Sequence, residues 1–417
     1  MPPITLLHNQ RIILAVTGSI AVYKAVDLAS KLTQAGALVD VIMTEAAQKF
    51  VTPLTFQAVT GRPVYTDLWQ TDSSGALPTH IAHVGLAEGA ALLAVIPATA
   101  NTLAKLANGL GDDLLTVTAL AARCPLLLAP AMDGTMYEHL AVQANLRTLV
   151  ERGALLIEPQ EGRFASGLTG KGRLADTAVL MGQIRHALGQ YRGLLGGRYI
   201  VITAGGTREA IDPVRFVSNH SSGKQGYALA QAAIDAGAQV TLITSADLPV
   251  PTGVHIVSVT SALEMQAAVL EYSGRADALI MAAAVADFRP SQVADQKIKK
   301  TDDTEGLTVE MVRNPDILLS VRQQRERTGF PLVVVGFAAE SEHLMENAQG
   351  KLERKGLDLM VANDISASDA GFATDTNRVV LMEPQQEPER LDLMGKDRVG
   401  EIIIERVARR LLEKQDR

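Results

Sequence analysis

The sequence predicts an α/β protein built from two doubly wound, Rossmann-like domains. Three observations carry this. The chain has 417 residues, more than one hydrophobic core ordinarily serves. Near its start an apolar run, a glycine turn, a helical stretch and a second apolar run follow one another. The same succession recurs in the second half.

In the first half the run is Ile12–Val16, followed by Thr17-Gly18-Ser19-Ile20 and a helical stretch over Ala21–Ala35. Gly36 ends that helix, and Val39–Met43 reads as the next strand. Ala91–Ile96 and Pro125–Ala129 are further strands, each running into a Pro-Ala step. A helix near Ile184–Leu188 gives way to the glycine-rich stretch Gly189–Gly197, which marks a boundary between domains 1–195 and 196–417. The second half opens with Tyr199–Thr203, then Ala204-Gly205-Gly206-Thr207, a helix over Tyr227–Ala236 and the strand Val240–Thr244. Leu279–Ala283, Leu332–Val335 and Leu359–Ala362 read as its remaining strands. Neither glycine turn matches the full G-x-G-x-x-G fingerprint, so each reads equally as plain loop geometry. A two-domain nicotinamide-dependent dehydrogenase, which would also supply two such halves, is disfavoured for that reason.

Composition narrows the partners. The chain is 47% hydrophobic and 20% charged, as in ordinary globular proteins. A net charge of −7 does not recommend nucleic acid. The single cysteine, Cys124, excludes an intrachain disulfide and a Cys-rich metal site, and fits a reducing cytoplasm. No apolar run approaches the roughly 20 residues of a membrane-spanning helix.

In open parallel sheets, ligands sit beyond the carboxyl ends of the strands. Gly18-Ser19, Thr44, Thr99-Asn101 and Met132-Asp133 should therefore share one rim. Ser19 at a helix start suits a phosphate, with Thr44, Thr99 and Asn101 completing the cradle; each also reads as a helix cap or turn residue. His83, in Ile81–Glu88, reads either as structural or as a proton-transfer group. In the second half, Ser218–Lys224 is rich in hydroxyl, amide and glycine. Lys297-Ile298-Lys299-Lys300 concentrates positive charge, and Lys351 and Lys355 share a helical face. These lysines read as solvated surface or as a triphosphate clamp.

With these segments in place, the whole chain resembles the bacterial bifunctional phosphopantothenoylcysteine decarboxylase/phosphopantothenate–cysteine ligase family of coenzyme A biosynthesis. The most specific motifs are Thr203–Glu209, Asp212–Arg215, Ser218–Gly223, Ala282–Asp287, Lys297–Lys300, Asn314–Ile317 and Gly336–Glu340. The resemblance implies that the second domain activates 4′-phosphopantothenate with CTP as an acyl-cytidylate, then joins it to L-cysteine. It places Ala282, Ala283, Ala284, Asp287, Lys297, Asn314, Pro315, Asp316, Ile317, Phe337, Lys351 and Lys355 around CTP. Lys297 neutralises charge at the reacting phosphate, and Asn219 orients the acyl-cytidylate. Mg²⁺ is expected through the CTP phosphates, with no protein ligand assigned. The first domain resembles FMN-dependent cysteine decarboxylases, which turn 4′-phosphopantothenoylcysteine into 4′-phosphopantetheine. There Gly18, Ser19, Ile20, Thr44, Ala98, Thr99 and Asn101 match FMN-contacting positions, and His83 matches the catalytic histidine. The family's trimeric decarboxylase and dimeric ligase domains imply a dodecamer.

Two positions depart from the usual family pattern. Asp133, after Met132, replaces the asparagine that binds the substrate carboxylate. Protonating an ordinary aspartate at pH 7 costs roughly 4 kcal/mol, so Asp133 must have a raised pKa, pair with a base or bind something else. In the glycine-rich lid Gly162–Arg173, Ser166 replaces a proton-donating cysteine. Either the pair is a compensated variant, with Asp133, Ser166 or water supplying the proton, or the first domain is a flavin-binding assembly module without decarboxylase activity.

Overall fold

The computed structural model describes residues 4–69, 82–163, 167–299, 306–340, 344–364 and 374–415. The chain divides into two units, Met1–Tyr191 and Arg192–Arg417.

The first unit is built on a parallel six-stranded sheet. From edge to edge its strands are Val64–Tyr65, Leu38–Met43, Arg11–Val16, Leu92–Ala98, Leu126–Pro130 and Leu155–Leu156. Side chains alternate across a strand, and here both faces are covered. Ile12, Leu14 and Val16 enter one apolar cluster, whereas Ile13 and Ala15 enter the cluster on the opposite face. That explains why the strand is apolar without interruption. The predicted first helix spans Val22–Gln34, with Ala21 and Ala35 as its caps. In the predicted lid, Gln160–Arg163 pairs with Thr169–Arg173 as a hairpin. The helix foreseen near Ile184–Leu188 is longer, running over Thr177–Arg192.

The second unit carries eight strands in the order Val254–Ser258, Gln239–Thr244, Tyr199–Ala204, Ala278–Met281, Val333–Glu340, Leu359–Asp364, Val379–Met382 and Glu389–Arg390. The first six run parallel and the last two join antiparallel. A small hairpin, Arg208–Ala210 with Phe216–Ser218, is inserted before the first helix. That helix starts earlier than the apolar pattern suggests, at Lys224, and ends at Asp235. Gly226 explains its close seat on the sheet: a Cβ there would lie 2.5 Å from that of Ala204. The strand expected at Leu332–Val335 continues through Phe337 to Glu340, because this extension still pairs with Leu359–Asp364. Among the described residues no helix is long and apolar enough to cross a membrane.

Candidate active sites

In the first unit, hydrogen bonds stitch the predicted rim together at the carboxyl ends of the strands. Thr44 N–H donates to the carbonyl of Val16 (3.1 Å). The next residue, Thr17, is buried; its hydroxyl donates to Pro97 O (2.7 Å) and accepts from Thr99 N–H (3.1 Å). Ala131 N–H reaches Ala98 O (3.1 Å), and Met132 N–H reaches Gly172 O of the lid hairpin (3.0 Å). Thr44 and Thr99 also cap helices, accepting from Ala47 N–H and Thr102 N–H. Ser19 Oγ accepts from Ala21 N–H (3.2 Å). Thr44 and Thr99 therefore act as caps, whereas Ser19 makes a turn contact just ahead of a helix whose cap is Ala21. Ile20, 63% exposed, and exposed Asn101 complete its outer edge.

Asp133 caps the short helix Gly134–Glu138. One carboxylate oxygen accepts from Thr135 N–H (3.2 Å) and from the Thr135 hydroxyl (3.0 Å). Aspartate and asparagine cap helices about equally well, so this local role is kept across the departure from the family pattern. Ser166 lies outside the described residues. The lid hairpin is fastened on its far side by Lys24, a buried lysine that donates to Leu174 O (2.8 Å) and pairs with Asp176 (2.7 Å). That contact holds the Asp176 carboxyl below the usual range.

His83 lies at the start of a short helix. Its helix, Ala82–Ala87, is held by Arg11, whose guanidinium donates to Gly85 O (2.8 Å) and Glu88 O (2.9 Å). Arg11 begins the strand whose other end reaches the rim. Among the described residues no hydrogen bond joins His83 to the rim, and its buried Nδ1 has no partner.

In the second unit a cavity of about 960 Å³ opens beyond the strand ends. Its lining includes Asn219, Ala282, Ala283, Ala284, Asp287, Asn314, Pro315, Asp316, Ile317, Phe337, Lys351 and Lys355. Every candidate of the second half is thus brought together except Lys297. The loop Ala282–Asp287 is braced from several sides. Thr203 Oγ1 accepts from Ala283 N–H (3.1 Å), and Thr207 Oγ1 accepts from Ala286 N–H (3.0 Å). Asn314 Nδ2 donates to Ala286 O (2.9 Å), and Asn219 Nδ2 donates to Val285 O (3.1 Å). Asp316 caps the helix Ile317–Thr328 and pairs with Lys355 (3.2 Å).

Lys297 is exposed and does not line the cavity. Its neighbour Ile298 is anchored instead: Ile298 N–H donates to Asp212 (3.1 Å), and Arg215 donates to Ile298 O (2.8 Å). Arg215 is the main cause holding the Asp212 carboxyl far below the ordinary range, helped by the N–H groups of Val214, Ile298 and Arg215.

Sequence reasoning missed Asn363, Asn377 and Lys396 in the cavity wall. Asn363 was visible as the polar end of an apolar strand. Nothing local marks Lys396, the first residue of the C-terminal helix. Burial lowers the Lys396 pKa, Lys224 adds to this, and Asp375 opposes it. Among the described residues no group of three or more His, Cys, Asp or Glu is placed to hold a metal.

Two open α/β sheets with braced loops at their carboxyl edges define a two-unit protein of the doubly wound class, in which ligands bind at those edges. Residues 3–189 match the family model described as Flavoprotein, and residues 195–411 match that of the DNA/pantothenate metabolism flavoprotein C-terminal domain. The Coenzyme A biosynthesis bifunctional protein CoaBC of Bacillus subtilis (strain 168) is 46% identical, covering 97% of this chain and 98% of its own length. The protein of that name from Vibrio cholerae is 43% identical, covering 95% and 98%. A crystal structure of the C-terminal domain of a CoaBC protein is 35% identical over 53% of this chain and 99% of its own, with a TM-score of 0.45. The chain belongs to the family of bifunctional phosphopantothenoylcysteine decarboxylase/phosphopantothenate–cysteine ligases of coenzyme A biosynthesis. It is an enzyme with a decarboxylase and a ligase activity.

Proposed function

We propose that residues 196–417 form the ligase, which joins 4′-phosphopantothenate to L-cysteine at the expense of CTP, and that residues 1–195 decarboxylate the product with FMN. The cavity supports the first part most directly: amide, carboxylate, aromatic and lysine side chains from five separate segments meet in it. A carboxylate oxygen of the acid attacks the α-phosphorus of CTP, and pyrophosphate leaves. The amine of cysteine then attacks the acyl carbon, and CMP leaves. Lys351 and Lys355 supply fixed positive charge to the phosphates, with Lys355 oriented by Asp316. Lys297 reaches in from its exposed segment. Phe337 offers an apolar face to the nucleotide, and Asn219 holds the acyl-cytidylate for attack. Mg²⁺ enters with the triphosphate, held through the CTP phosphates.

The residues of the first unit fit FMN. The rim presents helix starts suited to a phosphate, exposed Ile20 suits an apolar ring, and the orphaned Nδ1 of His83 wants a polar partner. Bound FMN supplies a reversible two-electron acceptor, which makes loss of carbon dioxide easy. Gly18, Ser19, Ile20, Thr44, Ala98, Thr99 and Asn101 hold it; Met132 and Asp133 hold the substrate; His83 moves the proton. In the trimer that the resemblance implies, FMN lies near subunit boundaries, and we place His83 at FMN held partly by a neighbouring copy. Asp133, Ser166 or water supplies the proton that the cysteine of the usual family pattern would donate. We place the enzyme in the cytoplasm.

Full-length enzyme given 4′-phosphopantothenate, Mg²⁺ and CTP, ATP, GTP or UTP in turn should release pyrophosphate, fastest with CTP. Release with none of them overturns the ligase reading. Anaerobic incubation with 4′-phosphopantothenoylcysteine should release carbon dioxide. Bound flavin without that release would make the first unit an assembly module.

A further inference from the structure

We infer that Arg11 is a positioning residue for decarboxylation: its guanidinium, set by the buried carboxylate of Asp40, holds the short helix that carries His83 and so fixes where the imidazole stands. The inference rests on the reading of His83 as the group that moves the proton.

The helix Ala82–Ala87 has six residues, too few to be stable alone. Among its described residues only Leu86 and Ala87 are buried. Apolar packing therefore fixes little of it, and one arginine adds the rest. Arg11 Nη1 donates to Gly85 O (2.8 Å) and to Glu88 O (2.9 Å). The Arg11 carbonyl accepts from Ala91 N–H (2.7 Å), where the chain enters the strand Leu92–Ala98. One residue thus pins the helix, the turn after it and the approach to the next strand. The last carbonyls of a helix lack partners within it and form its negative pole, so a cation is favoured there. His83 lies two residues before Gly85, in the same short helix.

Arg11 is itself held. Its Nε donates to Asp40 Oδ2 (2.5 Å). Asp40 is wholly buried, on the strand Leu38–Met43 that pairs with the strand of Arg11. A buried carboxylate needs paired charge and hydrogen bonds. The second cation is Arg62, whose Nε and Nη2 both meet Asp40 Oδ1 (2.8 Å each). A guanidinium is planar, so the bond at Nε fixes the direction in which Nη1 points. Arg62 provides a control. It meets the same carboxylate, yet among the described residues it makes no hydrogen bond to the helix of His83.

Steady-state decarboxylation of 4′-phosphopantothenoylcysteine by the full-length enzyme tests the inference. Arg11→Met should lower kcat by about 10- to 100-fold, the scale for a misplaced catalytic group, with KM within about twofold of the parent. Arg62→Met should keep kcat within about threefold of the parent, because Arg11 and its bonds to the helix remain. In a His83→Asn background, Arg11→Met should lower the residual rate no further, since a residue that acts through His83 has nothing left to position. A merely structural role would add its own loss to that of His83→Asn. Parental kcat in Arg11→Met, a loss carried by KM, an equal loss in Arg62→Met or additive losses in the double variant each overturn the proposal.

Should Arg11→Met melt far below the parent, Arg11→Lys decides instead. It keeps the charge but not the planar fork, so kcat should fall by about 3- to 10-fold at unchanged KM; parental kcat overturns the proposal. A His83→Asn enzyme that decarboxylates like the parent refutes the role of His83 itself, which is a separate result.

Discussion

Asn219 donates its side-chain amide to the backbone carbonyl of Val285 across 3.1 Å. The bond joins the loop ahead of the helix Lys224–Asp235 to the braced loop Ala282–Asp287. One side chain thus touches the wall where the nucleotide is proposed to lie and the cavity where the acid is activated. Asn219→Asp puts a carboxylate where a donor faces a carbonyl, and the two oxygens repel. We expect amide formation to fall by about 100- to 1000-fold, the scale for losing one preorganised donor. Pyrophosphate release should continue. Both products are to be quantified in one reaction; normal amide formation would refute the role.

Asp212 works at a distance from the cavity. It is 2% exposed and accepts from the guanidinium of Arg215 and from the N–H groups of Val214, Arg215 and Ile298. It therefore orders the segment that carries Lys297. Its folded pKa is depressed, so the stabilisation is complete above the unfolded carboxylate value of about 3.9 and is lost as pH falls through the lower folded value. Asp212→Asn takes the counter-charge from Arg215. We expect faster proteolysis near Lys297 and a raised KM for CTP at pH 7, together with a flatter stability profile below about pH 4. Thermal melting between pH 2 and pH 7 checks the last point; parallel acid profiles for variant and parent would sink it.

Much of this architecture was legible because burial on both faces of a sheet forces unbroken apolar runs, as in Ile12–Val16. The polar residues just past each run then fall on one edge, which is how Thr99, Asp133 and Ala282–Asp287 could be located from the sequence. Charge density was a poorer guide. The Lys297–Lys300 cluster drew attention, yet Lys297 is exposed, whereas Lys396, isolated in sequence, is buried in the cavity wall. Thr17, Thr203 and Thr207 brace the rim and cavity loops through partners some 80 positions away. A threonine in a turn carries no local mark of such a partner.

His83 is expected to serve proton transfer without holding the fold. It is half-buried, its Nδ1 lacks a partner among the described residues, and Arg11 anchors its helix by backbone carbonyls. His83→Asn keeps size and polarity but removes the titrating group. Carbon dioxide release should drop by about 10²- to 10⁴-fold, the usual contribution of a general acid or base. The flavin absorption band and ligase turnover should be unchanged. Retained decarboxylation would make His83 a structural residue.

Asp133→Asn tests whether the departure from the family pattern matters to binding or only to the helix. As an N-cap the two residues are nearly equivalent, so the Thr135 N–H and hydroxyl keep their acceptor and stability should change by less than about 0.5 kcal/mol. The remaining difference is charge. If the substrate carboxylate faces position 133, an ionised aspartate repels it unless a proton or a cation intervenes. We expect Asp133→Asn to lower KM for 4′-phosphopantothenoylcysteine at pH 7 and above. Steady-state decarboxylation from pH 5 to pH 8 measures this. Identical KM profiles for the two proteins would place the substrate carboxylate elsewhere and leave Asp133 as a cap alone.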